Sequence, residues 1–131
     1  MTSDRPILVV DDDTDLRETL GEVLAEEGYD AHLCENGRIA LDRLRGGERP
    51  ALILLDLMMP EMNGWQFREE QLRDERFAGI PVVVMTASRG FEGHPITASE
   101  ILYKPIGLGD LIRAVERNAR TAEPGRGTGA G

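Results

Sequence analysis

Short runs in which every residue is apolar alternate along this chain with stretches whose apolar residues fall three and four apart. The run Ile7-Leu8-Val9-Val10 is apolar on both faces, as a parallel strand covered on both sides must be. It stops at Asp11-Asp12-Asp13-Thr14-Asp15, after which Leu16, Leu20, Val23 and Leu24 predict a helix with an Asp or Thr N-cap and Gly28 as its stop signal. Ala31–Cys34 predicts a second strand, and Gly37–Arg45 a second helix burying Ile39, Ala40, Leu41 and Leu44. Residues 51–55 predict a central strand that ends abruptly at Asp56, followed by a loop with Pro and Gly punctuation and a polar helix over 65–73. Residues 82–85 and 101–103 predict two more strands, and 108–120 a last helix with Leu111, Ile112 and Val115 as its stripe. Between Arg89 and Glu100, Gly90, Gly93 and Pro95 oppose a full crossover helix, so the fourth helix is expected to be short or irregular. Residues 121–131 carry too few large apolar side chains to pack and are expected to form a disordered tail. The whole pattern is that of an α/β domain: a five-stranded parallel sheet, doubly wound by helices.

At 131 residues, 40% apolar and 30% charged, the chain suits one domain around one core. No apolar run approaches the roughly 20 residues that span a bilayer, and the N-terminus lacks a secretory signal, so a cytoplasmic protein without membrane insertion is expected. With 24 acidic against 15 basic residues the net charge is −9, which disfavours direct nucleic-acid binding but leaves acidic cation sites open. Cys34, the single cysteine, cannot form an internal disulfide and reads as a small buried hydrophobe. Of the 15 basic residues only Lys104 is a lysine, which makes its position worth explaining.

Ligands of an open parallel sheet bind beyond the carboxyl ends of its strands. Those ends deliver Asp11 and Asp12, Asp56, Thr86 and Lys104 to one rim if the crossovers are right-handed. Three adjacent carboxylates repel, so a cation belongs among them, and an all-oxygen donor set suits Mg²⁺. A lysine and a hydroxyl beside that cation could hold a tetrahedral anion, with Asp56 as a phosphoryl-accepting nucleophile. Asp13 reads as a cap, and Met58, Met59 and Met62 as packing, with only the Met58 backbone entering the site. Pro60 and Gly64 read as shaping the loop, Gly64 by an unusual backbone angle or close packing. His32 and His94 carry no assigned role. Asp11, Asp13, Asp15 and Glu22 match four positions of a calcium loop, but Leu16 replaces the required glycine and the helix runs through it.

With Val9-Val10-Asp11-Asp12-Asp13, Leu55-Asp56-Leu57-Met58-Met59-Pro60-Glu61-Met62-Asn63-Gly64, Met85-Thr86-Ala87 and Lys104-Pro105 in this order, the chain resembles the receiver domain of two-component response regulators. The resemblance covers about residues 5–120 and implies a receiver domain over 1–120 with the flavodoxin-like strand order 2-1-3-4-5. It also implies that Asp56 accepts a phosphoryl group from the phosphohistidine of a histidine kinase or histidine phosphotransfer protein. Asp12, Asp56 and the backbone carbonyl of Met58 would ligate Mg²⁺ or Mn²⁺, and Asp11 would hold a coordinated water. Lys104 would pair with a phosphoryl oxygen, Thr86 would swing toward the phosphate as a switch, and a cis bond would precede Pro105. Such a domain catalyses only its own phosphorylation and dephosphorylation.

Two other readings stand beside this one: a degenerate receiver that binds protein partners without phosphate, and a haloacid-dehalogenase-type phosphatase. The second is weakened by Asp15, which stands where that family carries Thr or Val. The chain departs from the receiver pattern at Ile101, three residues before the lysine, where an aromatic switch residue is usual. Tyr103 is expected on the opposite face of the strand. Together with the short segment between Thr86 and Lys104, this predicts a nonstandard output surface. No output domain follows the last helix, so a stand-alone receiver acting on a still unidentified protein target is expected.

Overall fold

Runs apolar on both faces become the interior of the sheet because a parallel strand covered by helices has no solvent side. The computed structural model describes residues 5–87 and 96–122. Its strands are β1 (Ile7–Val10), β2 (Ala31–Cys34), β3 (Leu52–Asp56), β4 (Val82–Thr86) and β5 (Glu100–Tyr103). Its helices are α1 (Thr14–Glu26), α2 (Gly37–Arg45), α3 (Gly64–Leu72) and α4 (Leu108–Ala122). The strands pair in the order β2-β1-β3-β4-β5, all parallel, as expected.

Every residue of β1, β3 and β4 is buried, and alternate residues feed two cores. Leu8, Val10, Ile53, Leu55 and Val84 pack with Leu41 and Leu44 of α2 and Phe67 of α3. Val9, Leu52, Leu54 and Val83 pack with Leu20 and Leu24 of α1 and Leu111 and Val115 of α4. A one-residue slip of any central strand would exchange the layers, so the register that carries the strand ends to their places is firmly set. Cys34 is buried, as its pattern implied.

Helix starts follow their caps. The Asp13 side chain accepts the Leu16 N–H, fulfilling the cap reading of that residue. Asn63 and Gln66 form a reciprocal capping box, so α3 begins at Gly64, one residue before the expected start. The central strands run one residue further than the apolar pattern and take in Asp56 and Thr86. The last helix passes the expected end at 120 and reaches Ala122. Residues 121 and 122 of the expected tail are thus helical, and its residues 123–131 lie outside the described residues.

Among the described residues no helix joins β4 to β5. Most of the expected irregular helix, residues 88–95 with His94, lies outside them. Ile96 and Ala98 pack against the core on the α2 and α3 side. Tyr103 requires a correction: Ile101 packs on that same side and Leu102 on the other, so strand alternation returns Tyr103 to the face of Ile101. No described helix is long and apolar enough to cross a membrane.

Candidate functional site

Strand register assembles the rim. Val10 is level with Leu55, so Asp11 and Asp56 leave β1 and β3 side by side, and Asp56 is level with Met85 of β4. Thr86 is level with Tyr103, and the Lys104 N–H extends that ladder by donating to the Thr86 carbonyl at 2.9 Å. The five residues expected at the site thus reach one edge, although they come from four strands and span most of the sequence.

Carboxylate oxygens of Asp11, Asp12 and Asp56 lie within 4.8 Å of one another. Asp11 and Asp56 are buried, at 0% and 4% exposure, while Asp12 faces solvent. Lys104 Nζ lies 2.9 Å from Asp11 Oδ2 and 3.6 Å from Asp56 Oδ1. One ammonium among three carboxylates leaves a negative excess in a mostly dry place. Burial pushes the Asp56 carboxyl up to about 6, the Asp11 and Asp12 charges add to this, and Lys104 and the Met58 amide oppose it. Burial pulls Lys104 down, but its contacts with Asp11 and Asp56 together outweigh that and raise it. The cluster offers only oxygen donors, one of them open to solvent, and its uncompensated charge fits a hard divalent cation.

The loop after Asp56 is shaped by local contacts. The Gly64 N–H donates to the Leu57 carbonyl at 2.9 Å. A Cβ on Gly64 would stand 2.7 Å from the Asp56 carbonyl oxygen, so close packing, rather than an unusual φ, requires glycine here. The Pro60 carbonyl accepts the Met62 N–H at 2.7 Å across Glu61, whose φ of 68° makes a tight three-residue turn. Met59 and Met62 pack in the core beneath it. Met58 does not: it is 61% exposed, while its neighbours Leu57 and Met59 take the inward positions. Thr86 is fully buried at the end of β4, and the Lys104–Pro105 peptide bond is cis.

Arg17 was not singled out by the sequence reading. Its Nη1 donates to the Asp11 carbonyl at 2.7 Å, and the Asp13 N–H donates to Asp11 Oδ1 at 2.9 Å, so Asp11 is held through both its backbone and its side chain. The signal was available: a cation in the first turns of a helix opposes the helix dipole and needs a reason to be there.

The chain matches the response regulator receiver domain family over residues 7–116. It is 37% identical over 129 residues to the response regulator MprA of Mycolicibacterium vanbaalenii, an alignment covering 94% of this chain and 54% of that protein. The chain thus spans about half the length of the curated relatives it matches. Among solved structures, the signal receiver domain of a signal transduction histidine kinase from Syntrophus aciditrophicus is similar with a TM-score of 0.83 and 28% identity, covering 92% of this chain and 93% of that one. The receiver domain of the sensor histidine kinase PA1611 from Pseudomonas aeruginosa PAO1, solved with a magnesium ion coordinated in its active site cleft, shares the fold with a TM-score of 0.80 and 24% identity, over 89% of this chain and 98% of that one. A family match over nearly the whole described domain, on a fold whose strand ends gather three carboxylates and a lysine, shows that this chain belongs to the response regulator receiver domain family of two-component systems.

Proposed function

We propose that Asp56 is the phosphoryl acceptor of this receiver domain and that its donor is the phosphohistidine of a histidine kinase or histidine phosphotransfer protein. The observation that carries this reading is the buried carboxylate pair Asp11 and Asp56, with Asp12 beside it and Lys104 spanning it. In the transfer an Asp56 carboxylate oxygen bonds to phosphorus, the phosphorus–nitrogen bond breaks, and its electron pair leaves with the imidazole nitrogen. Little covalent chemistry falls to the protein; it must hold the acceptor in line and offset charge on the transferred oxygens.

Asp12, Asp56 and the Met58 carbonyl would hold Mg²⁺, with Asp11 on a coordinated water; Mn²⁺ suits the same oxygens. Bound there, the cation supplies positive charge against the phosphoryl oxygens. Lys104 already touches both buried carboxylates, so a short displacement brings its ammonium to a phosphoryl oxygen. Thr86, level with the residue preceding Lys104, supplies the hydroxyl that follows the new charge. A phosphoryl group bearing about −1.5 to −2 charges can reorder a neighbouring loop through new hydrogen bonds, and output passes from there to a protein partner. With Ile101 in place of an aromatic residue, the Thr86 movement is relayed by an aliphatic side chain packed on the α2 and α3 side.

Intact mass after incubation with Mg²⁺ and acetyl phosphate tests the assignment. One phosphoryl adduct is expected in the wild type, absent from Asp56→Asn and from an EDTA control. If neither an adduct nor beryllofluoride binding occurs, the domain works without phosphate; sustained phosphate release from many substrates would make it a phosphatase instead.

A further inference from the structure

Charge also gathers at the opposite edge of the sheet, where β1, β3 and β4 begin. There Arg5, Arg49 and Arg76 line an open cavity of about 480 Å³, with Glu75, Phe77 and Gly79 among its other walls. Three arginines line one cavity of a chain whose net charge is −9.

These side chains are held in advance. Arg5 Nε and Nη2 donate to the carbonyls of Arg49 and Pro50 at 3.0 and 2.8 Å. Arg49 Nη1 donates to the carbonyls of Leu44 and Glu48, each at 2.8 Å. The guanidinium carbons of Arg49 and Arg76 both lie 5.6 Å from the centre of the Phe77 ring. That ring is buried, and the buried Gln71 amide fixes its backbone by donating to the carbonyls of Phe77 and Ile80 at 3.0 and 3.1 Å. Arg76 donates Nε and Nη2 to the two carboxylate oxygens of Asp74 at 2.9 and 2.6 Å, a bidentate pair that offsets its charge. Arg49 instead bonds carbonyl oxygens, which order a guanidinium without taking up its charge, and the nearby Asp74 carboxylate attracts it at longer range.

From this arrangement we propose that the cavity binds a small organic phosphate monoester, at a site separate from the acceptor rim and independent of what Asp56 does. Arg49 bonds carbonyls through Nη1 alone and Asp74 takes only the Nε–Nη2 fork of Arg76, so the remaining N–H groups of both can engage a tetrahedral dianion together, whereas a planar carboxylate is matched by a single fork. The volume is within the range of small-molecule sites and exceeds the need of a bare phosphate ion, and Phe77, Ile80 and Pro81 give an organic body an apolar wall. Glu75 on the same wall and the negative field of the whole chain oppose the anion, so millimolar affinity at physiological salt is expected.

The test is a titration of the full chain with phenyl phosphate in EDTA, followed by amide and arginine Nε–H signals in ¹⁵N NMR. Inorganic phosphate, sodium benzoate and sodium chloride at matched ionic strength run in parallel. Saturable shifts are expected at Arg49, Phe77, Gly79 and Ile80 with phenyl phosphate, weaker ones with inorganic phosphate and none with chloride. In Arg49→Gln the dissociation constant should rise at least tenfold. A Cβ at Gly79 meets nothing within 4 Å, so Gly79→Asp adds a carboxylate to the wall without disturbing packing, and it should abolish the shifts even if the arginine variant folds poorly. Non-saturating shifts, equal binding of benzoate, shifts confined to the Asp56 rim, or saturation unchanged in Gly79→Asp would each overturn the proposal.

Discussion

The two ends of the sheet handle charge in opposite ways. At the carboxyl ends, Asp11 and Asp56 are buried against each other with a single lysine between them, and the Asp56 carboxyl is pushed up to about 6. At the amino ends, arginines bond carbonyl oxygens and flank a phenyl ring, and each cation is held by neutral or opposite partners. The acidic end stores repulsion that a cation or a phosphoryl group can relieve or redirect. The basic end stores order, because its side chains are already immobilised where a ligand would meet them. A folded domain tolerates the first arrangement only where the rest of the structure over-determines it, and here the register of three fully buried strands does so.

The largest expected effect removes the stored repulsion. Asp56→Asn should lose phosphorylation entirely, yet gain about 2 to 3 kcal/mol of stability at pH 7.5 without metal, since a raised carboxyl costs about 1.4 kcal/mol per pKa unit. The folded pKa is raised, so the stabilising share of protonated Asp56 is complete below the ordinary value of 3.8 and is lost as pH rises through about 6. The gain should therefore shrink toward zero near pH 4, which urea denaturation in EDTA across this range would reveal. An unchanged midpoint at pH 7.5 would mean the carboxylates do not oppose folding.

Gly64→Ala strikes the loop that carries the same carboxylate. Its Cβ would meet the Asp56 carbonyl and Leu57 at 2.7 Å, so a loss of about 1 to 3 kcal/mol is expected from overpacking, together with slower adduct formation. Thermal melting and the acetyl phosphate assay read the two parts separately. At the basic end, Gln71→Leu removes a buried amide that serves two carbonyls and should cost about 1 to 3 kcal/mol in urea denaturation while leaving phosphorylation at its wild-type rate. Slowed phosphorylation in that variant would show that the two ends are coupled. The smallest effect is expected from Arg17→Ala, which takes one hydrogen bond from the Asp11 carbonyl, worth about 0.5 to 1.5 kcal/mol. Adduct formation that needs more Mg²⁺ with no larger loss of stability than this, partly restored by Arg17→Lys, would assign Arg17 to holding the acidic pair.

Sequence by itself determined the element order, because apolar runs and helical spacings report burial directly, and it marked the strand ends where Asp11, Asp56, Thr86 and Lys104 emerge. It also marked Asp13 as a cap and Gly64 as a special position, since capping and the want of a Cβ are local demands. Tertiary structure alone decided how those ends combine. That Lys104 sits closer to Asp11 than to Asp56, that Arg17 braces the Asp11 carbonyl, and that Met58 stands exposed while Met59 and Met62 pack are outcomes of register and loop path. The cavity of Arg5, Arg49 and Arg76 was equally hidden, its residues scattered over three separate stretches of chain and unremarkable in any one of them. Periodicity records which way each side chain faces within its own element. Distances between elements depend on how the layers close over one another, and this no single stretch of sequence contains.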